Sequence, residues 1–316
     1  MTSSAPAPSG ARTVALFLIS KESSYQQALL LEGRDAARRL RIRLEASFGD
    51  GQFELQIKQI YAALARPPEA ENGVHGLVIM PIKEGGYGRI GANAARGSVP
   101  CVFLNREVDL DGPRRDFPRA ALSVVTPDQR RCGLEQGLQY RTWFEEAGRL
   151  RPGCGRRVLY VQGPPDTSSA RDRLEGMRQA VEGWPADLTV ANGDWTEEGG
   201  REAVARLART LGDRGAFDAI VSQNDEMARG ATRALGMAAG TLPTFGIDGL
   251  PGFGQGMVDS GELAATVVMP TTCGPALELL AQAFRGEPAA PKVVLPSRWH
   301  PERAALQDRA RRWAAA

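Results

Sequence analysis

Polar side chains follow an apolar, strand-like run in the second half of the chain. The run Phe217–Val221 leads into the segment SQNDEMARGA at positions 222–231, in which Asn224 is the second amide. Another apolar run ends in Asp248-Gly249 in the same way. Ligands of open α/β sheets bind outside the carboxyl ends of the strands. The two segments therefore predict a site that offers amide and carboxylate groups to a small polar molecule.

Further polar and aromatic residues occupy comparable positions: Asn105 and Arg106 after the run VPCVFL, Arg173 early in a predicted helix, and Trp195 after a polar loop. Taken alone, each has a structural explanation, such as a solvated helix residue for Arg173, a loop anchor for Trp195 and a helix cap for Asp225. Together they suit a polyol. Carboxylates accept hydroxyl protons, guanidinium groups donate to oxygens and amides do both. An aromatic ring covers the apolar C–H face of a sugar.

These residues require a fold that brings several strand ends together. Apolar runs of strand length alternate with stretches of helical periodicity, which predicts βαβ units and parallel sheets. Because one sheet of all these strands would be unusually wide, we expect an α/β protein with two Rossmann-like lobes. The predicted strands cover 13–20, 76–80, 99–104, 122–125, 157–162, 188–192, 217–221, 244–247, 263–268 and 293–295. The predicted helices cover 25–44, 54–65, 89–95, 130–146, 170–181, 197–211, 225–239, 274–284 and 301–315.

Composition and motifs exclude several classes of function. The 316 residues carry a net charge of +2, so we expect no nucleic-acid partner. We expect no membrane insertion, since no apolar run approaches the roughly 18 residues of a membrane span. No G-x-G-x-x-G turn follows the first strand, and no G-x-S-x-G elbow occurs. We therefore expect no enzyme, no catalytic residues and no cofactor.

The cysteines and histidines do not form a metal-binding pattern. The four cysteines are far apart and include no C-x-x-C pair, and the chain has only two histidines. We predict free thiols and no metal site. These residues are Cys101, Cys132, Cys154, Cys273, His75 and His300.

The order of the motifs resembles that of the type 1 periplasmic binding proteins, in the ribose- and galactose-binding branch. This family is related to the effector domains of lac-repressor-like regulators. The similarity runs from about Thr13 to Leu295, and its most specific segments are SARDRLEGM at 169–177, SQNDEMARGA at 222–231, GIDGLP at 246–251 and SGELAATV at 260–267. The run VPCVFLNR is similar to the family's strand ending in Asp-Arg.

The resemblance implies two lobes joined by a three-crossing hinge that closes on a ligand like a clamshell. The crossings are expected near Thr126-Pro127, Met269-Pro270 and Val293–Leu295. The N-terminal lobe would comprise 12–126 and 270–293, and the C-terminal lobe 127–269 and 294–300. A disordered tail at 1–11 and a helical extension at 301–316 would complete the chain.

Carried over position by position, the family's ligand contacts imply nine residues of this chain. They are Ser23, Tyr25, Asn105, Arg106, Arg173, Trp195, Asn224, Asp248 and Met269, with Tyr25 and Trp195 as stacking rings. Several of them depart from the family pattern. Asn105 replaces an Asp, Ser23 a common Asn and Met269 a Gln, and Gln26 replaces a second aromatic residue.

The departures suggest a hypothesis about the charge of the ligand. Arg106 and Arg173 would face only Asp248, which leaves about one positive charge, and an uncompensated buried charge is costly. The hypothesis is an anionic ligand such as a sugar acid, with Glu22 as the rival source of negative charge.

The expected function is binding of a sugar or sugar derivative as the substrate-binding component of an ABC-type importer. The alternative is a stand-alone sensor that signals to a partner regulator or histidine kinase. The expected partners are accordingly the sugar-like ligand and an ABC permease or a sensor kinase, and the chain is expected to be a monomer. The family is usually periplasmic, whereas a chain without a secretory signal would be cytoplasmic if it were complete.

Overall fold

The computed structural model describes residues 11–148, 156–212, 217–238 and 240–315. The chain forms two compact units. Unit 1 contains the chain up to Thr126 and Thr271–Leu295, and unit 2 contains Pro127–Pro270 and the chain from Pro296 onward. The backbone therefore passes from one unit to the other after Thr126, after Pro270 and after Leu295. Cys154 and the predicted tail up to residue 10 lie outside the described residues.

Unit 1 is a six-stranded sheet with helices along the chain between its strands. The strand order is β11-β5-β4-β3-β1-β2, and the four neighbouring pairs from β5 to β2 are parallel. Its strands are β1 (Arg12–Leu18), β2 (Ile42–Phe48), β3 (Gly76–Ile79), β4 (Cys101–Leu104), β5 (Leu122–Pro127) and β11 (Lys292–Leu295). Its helices are α1 (Ser24–Leu40), α2 (Phe53–Leu64), α3 (Tyr87–Arg96), α4 (Asp111–Asp116) and α10 (Cys273–Phe284).

Unit 2 repeats this plan, with the order β12-β10-β9-β8-β6-β7, in which only β12 is antiparallel to its neighbour among the described pairs. Its strands are β6 (Arg156–Gln162), β7 (Ala186–Asn192), β8 (Ala219–Ser222), β9 (Thr244–Asp248), β10 (Ala265–Val268) and β12 (Arg298–His300). Its helices are α5 (Gln129–Glu146), α6 (Ser168–Ala180), α7 (Glu197–Leu211), α8 (Asp225–Ala234), α9 (Gly254–Asp259) and α11 (Arg303–Ala315). The two units confirm the predicted α/β class with two parallel-dominated lobes.

When the strands of each unit are counted along the chain, both sheets have the doubly wound order 2-1-3-4-5. The strand order changes direction between the first and the third strand. Ligands of such sheets bind at that reversal, beyond the carboxyl ends of the strands. The central strands are buried on both faces, as the continuous apolar runs predicted. Side chains can therefore contact a ligand at the carboxyl edge of each sheet. In unit 1 this edge lies beyond β1 and β4, and in unit 2 it lies beyond β6 to β10.

The prediction of a single helix over 25–44 was wrong. Helix α1 ends at Leu40, Arg41 adopts a left-handed conformation with φ of 55°, and β2 begins at Ile42. The usual sequence signal for such an ending is glycine, which this position lacks. Strand β2 lies at the edge of the sheet, and its residues are half-buried or exposed, so it lacks an apolar run. The short elements α4, α9 and β12 were also not predicted.

Glycines allow the backbones of α5 and α6 to approach closely. A Cβ atom on Gly133 would overlap the backbone of Arg173, and one on Gly176 would overlap the backbone of Arg130. Small residues at both contact points let two helices lie side by side. This contact fixes the position of α6 against α5, and with it the position of Arg173.

Helix α11, predicted as an extension, packs into unit 2. Leu306 and Ala310 are fully buried in the apolar core that includes Tyr140, and the ring of Trp313 lies 5.8 Å from that of Trp143. Within the described residues, no helix combines the length and the apolar character needed to cross a membrane.

Candidate functional site

The predicted ligand residues fall at the carboxyl edges of the two sheets, and each edge is described separately. We call Ser23, Tyr25, Asn105 and Arg106 the unit 1 edge. We call Arg173, Trp195, Asn224, Asp248 and Met269 the unit 2 edge.

In the unit 1 edge, Asn105 connects two elements. It follows β4 with a left-handed φ of 63°, a conformation that Asn tolerates better than most residues. Its Nδ2 donates to Tyr25 Oη at 3.1 Å, and its Oδ1 accepts from Thr272 Oγ1 at 2.7 Å. Tyr25 and Asn105 are each only 5% exposed. The amide is therefore held in one orientation by α1 on one side and by the start of α10 on the other.

Arg106 lies beside Asn105 and is also 5% exposed. Its Nη1 donates to the carbonyl oxygen of Ile82. The backbone N–H of Ile82 in turn donates to Tyr87 Oη at 3.0 Å. Tyr87 Oη also donates to Gln56 Oε1. A buried polar chain therefore fixes the loop on which the guanidinium group rests, which suits a residue that must present donors at a set position.

The remaining residues of α1 have different roles. Ser23 is half-buried and begins the helix without a side-chain capping bond. Gln26, in the place of a second aromatic residue, is buried and accepts from the backbone N–H of Ser20 at 3.1 Å. Glu22 is exposed and hydrogen-bonded to Ser20 Oγ. Gln26 thus stabilises the end of β1.

In the unit 2 edge, Arg173 is 4% exposed, and neutral acceptors surround its guanidinium group. Nε donates to Gln129 Oε1 at 2.8 Å, Nη2 lies 3.0 Å from Met269 Sδ, and Nη1 donates to the carbonyl oxygen of Gln223. Arg has five N–H groups, and these contacts use three of them. Among the described residues the other two have no partner, so they can donate to an oxygen acceptor.

Trp195 is half-buried and has a φ of 77°, uncommon for a residue with a side chain. Its ring lies against Gly163, where a Cβ atom would overlap it, and the Arg173 guanidinium carbon lies 5.3 Å from the ring centroid. Asn224 Nδ2 donates to the Trp195 carbonyl oxygen at 2.8 Å. Asn224 Oδ1 accepts from the N–H of Met227 at 2.9 Å. Asn224, rather than Asp225, is therefore the cap of α8, and it also holds the loop that carries the indole.

Asp225 is a buried structural carboxylate. It accepts from the N–H of Gly249 and from Thr266 Oγ1, both at 2.7 Å. Cβ atoms on Gly246 or Gly254 would overlap it, so those glycines leave the space it occupies. Asp225 thereby fixes the backbone directly after Asp248.

Asp248 ends β9 with a φ of 111°, well outside the usual region for a non-glycine residue. It is 5% exposed, and within the part of the chain that the structure describes its carboxylate receives no hydrogen bond. Burial raises the pKa of Asp248 well above its usual value; Arg173 lowers it, whereas Asp225 and Glu226 raise it. A strained backbone combined with a buried carboxyl group that receives no described hydrogen bond is typical of a ligand-binding residue.

The charge count behind the hypothesis of an anionic ligand omitted two carboxylates. Asp225 is fully buried and Glu226 is 8% exposed, and both act on Asp248. Unit 2 therefore places three acidic groups close together, Asp248, Asp225 and Glu226, rather than Asp248 alone. Like charges disfavour ionisation, which contributes to the raised pKa of Asp248, and any member of the group that stays ionised repels an anion.

Sequence reasoning missed several residues that hold this edge together. Gln223 donates to Tyr160 Oη at 2.9 Å and to the Ala170 carbonyl oxygen at 2.7 Å. Its Oε1 accepts from the N–H of Gly163 at 3.0 Å. Gln223 stands inside SQND and could have been singled out as a buried amide. Gln129 and Thr272 carry no motif, because their partners are distant in the chain. Among the described residues, no group of three or more His, Cys, Asp or Glu side chains could hold a metal ion.

The family comparison agrees with this fold. The family model described as a periplasmic binding protein domain matches residues 14–284. The chain belongs to the periplasmic binding protein family.

Curated relatives include three kinds of protein. The ribose import binding protein of Salmonella typhimurium is 34% identical over 43% of this chain and 46% of the relative, so the chain spans less than half the length of that relative. A xylitol-binding protein of Mycolicibacterium smegmatis is 29% identical over 61% of this chain and 51% of the relative. The HTH-type transcriptional regulator AscG of Escherichia coli is 33% identical over 30% of this chain and 28% of the relative. The expected relation to lac-repressor-like regulators is confirmed.

Solved structures share the fold over almost the whole chain. A galactofuranose-binding protein has a TM-score of 0.79 at 22% identity and covers 96% of this chain and 99% of its own. A protein from Mycobacterium smegmatis in complex with β-D-fucofuranose has a TM-score of 0.79 at 21% identity, over 96% and 97%. The fructose-binding periplasmic domain of a hybrid two-component system has a TM-score of 0.76 at 17% identity, over 96% and 96%. At these identities the likeness establishes the fold.

Proposed function

We propose that the chain binds a neutral sugar of pentose or furanose type as the solute-binding component of an ABC-type importer. The observation that carries the proposal is the unit 2 edge. Among the described residues, two N–H groups of Arg173 and the carboxyl group of Asp248 have no hydrogen-bond partner, so they offer donors and an acceptor, and the half-buried Trp195 ring offers an apolar face. These are the groups that a sugar ring requires.

The acidic balance of unit 2 favours a neutral ligand. An anionic group placed beside Asp248 would be repelled by whichever of Asp248, Asp225 and Glu226 is ionised, and burying a further negative charge there would be costly. A hydroxyl group, in contrast, can accept from Arg173 and either donate to or accept from Asp248. Both protonation states of that carboxyl group can thus be satisfied by a sugar.

The kinds of sugar bound by relatives guide the choice of probe. Relatives bind ribose and xylitol, and structural neighbours bind galactofuranose and fucofuranose. Isothermal titration with D-ribose, L-arabinose, D-fucose, D-galactose and xylitol should reveal tight binding of at least one neutral sugar. L-Arabinonate and ribose 5-phosphate are the charged comparisons. Binding of the acids without any neutral sugar would overturn the proposed ligand class.

A stand-alone sensor is the second candidate, favoured by the structural likeness to a sugar-binding domain of a two-component system. Deletion of the gene in its host separates the two roles. An importer component should be required for uptake of the radiolabelled sugar. Intact uptake, together with loss of the transcriptional response to that sugar, would identify the sensor instead.

A further inference from the structure

The ligand residues are tied to the segments at which the chain passes between its units. In unit 2, Arg173 is held by Gln129, two residues after Pro127, and by Met269, directly before Pro270. In unit 1, Asn105 is held by Thr272, one residue after the point where the chain enters that unit. Two of the three passages are therefore flanked by side chains that contact predicted ligand residues.

We infer that Thr272 and Gln129 are positioning residues, which fix the donor atoms of Asn105 and Arg173 and link their placement to the backbone at the passages. Neither residue is among the predicted ligand contacts. The inference rests on the proposed function, because it assigns these two residues a role in binding the same solute.

Thr272 has the burial and the geometry for this task. It is fully buried, and its hydroxyl lies 2.7 Å from Asn105 Oδ1. Because the hydroxyl donates to the amide oxygen, the Nδ2 group must point the other way, towards Tyr25 Oη at 3.1 Å. Without that donor, the amide would lose the bond that sets its orientation, and Asn105 Oδ1 would lose a buried partner.

Gln129 acts on Arg173 in the same manner. It is 7% exposed at the start of α5 and accepts from Nε at 2.8 Å. With Met269 Sδ on Nη2 and the Gln223 carbonyl oxygen on Nη1, the plane of the guanidinium group is set from three directions. The remaining N–H groups of a planar guanidinium group have a fixed direction only when the plane of that group is fixed.

Two matched sets of variants test the role. Thr272→Val keeps the shape of the side chain and removes the hydroxyl donor, whereas Thr272→Ser keeps the donor. Thr210→Val is the control on the exposed face of α7, where the hydroxyl donates to the carbonyl oxygen of Arg206 in the same helix. Gln129→Met removes the acceptor, and Gln307→Met is its control in α11. We expect Thr272→Val and Gln129→Met to weaken binding of the neutral sugar identified by titration about five- to tenfold, as for one lost hydrogen bond. Thr272→Ser and both controls should bind like the wild type.

A ligand-free measurement keeps this test separate from that of the proposed function. In hydrogen exchange followed by mass spectrometry, Thr272→Val should accelerate exchange in peptides that cover 103–106 and 270–275, whereas Thr210→Val should not. If the wild type binds no sugar, the proposed function fails, and the exchange data alone decide whether Thr272 fixes Asn105. Unchanged exchange at 103–106 in Thr272→Val would overturn the inference, as would wild-type sugar affinity in both Thr272→Val and Gln129→Met.

Discussion

Arg173 is the residue whose surroundings most restrict what a ligand can meet. Its guanidinium group is buried among an amide oxygen, a backbone carbonyl oxygen and a thioether. These contacts use three of its N–H groups, and the other two can donate to a ligand in fixed directions. A substitution that preserves the charge but not the fork should therefore still be damaging.

Arg173→Lys should weaken binding of the neutral sugar by about 1.5–3 kcal/mol, because hydrogen bonds to the charged fork are lost in a desolvated site. Isothermal titration measures the change. Arg206→Lys, on the exposed part of α7, is the matched control and should bind normally. Equal affinities for the two variants would remove Arg173 from the site.

Asp225 should titrate in the neutral range. Burial raises its pKa to about 7, although the bonds from Thr266 and Gly249 oppose the shift. An acid whose native pKa exceeds its unfolded value of about 3.9 makes the native state bind more protons between the two values. Its contribution to the free energy of unfolding is therefore largest at low pH and falls as pH rises from about 4 to about 7.

The ¹³C carboxyl resonance that disappears in Asp225→Asn should titrate with a midpoint of about pH 7. In the variant, the free energy of unfolding should no longer fall between about pH 4 and pH 7 because of this group. Asp35→Asn, on the exposed face of α1, serves as the control. A titration midpoint below pH 5 would contradict the assignment.

At the scale of elements, glycines set the distances that place the site. Gly133 and Gly176 bring α5 against α6, and Gly163 gives the Trp195 ring a flat surface at the end of β6. In each case a side chain would enter space already filled by backbone or by a ring. These positions therefore control the ligand edge without contacting a ligand.

Gly163→Ala should displace the indole of Trp195 and lower sugar affinity, and the overpacking should lower the free energy of unfolding by about 1–3 kcal/mol. The indole N–H signal of Trp195 in ¹H–¹⁵N spectra reports the displacement directly. Gly256→Ala is the control, because a Cβ atom there meets no neighbour within 4 Å. An unmoved indole signal in Gly163→Ala would refute this account of the packing.

Most of the elements could be predicted, and the failures have a common cause. Apolar periodicity predicts β1, β3, β4 and β8 because both of their faces are buried. Strand β2 was not predicted because its half-buried and exposed residues form no apolar run. In addition, Arg41 rather than glycine ends the helix before it. Helices α4 and α9 are six residues each, too short for a periodic signal.

At the scale of the whole molecule, the clamshell closure that the family resemblance implies is testable in solution. A ligand that binds a closed state more tightly than an open state shifts the population towards the closed state. The radius of gyration measured by small-angle X-ray scattering should then fall on addition of the neutral sugar. L-Arabinonate at the same concentration should leave it unchanged. A constant radius with saturating sugar would argue against closure.

The sequence by itself determined the class of fold, the family and the strand ends that carry polar groups. Buried strands and their lengths can be predicted from short apolar runs that are contiguous in the chain. The sequence also singled out Asn224 and Asp248 through motifs that are contiguous in the chain. Only the tertiary structure decided what each side chain contacts. Thr272 bonds to Asn105, Gln129 bonds to Arg173, and Asp225 bonds to Gly249 and Thr266. These partners are far apart in the chain, and whether a buried carboxyl or guanidinium group is satisfied depends on atoms that packing alone brings within reach.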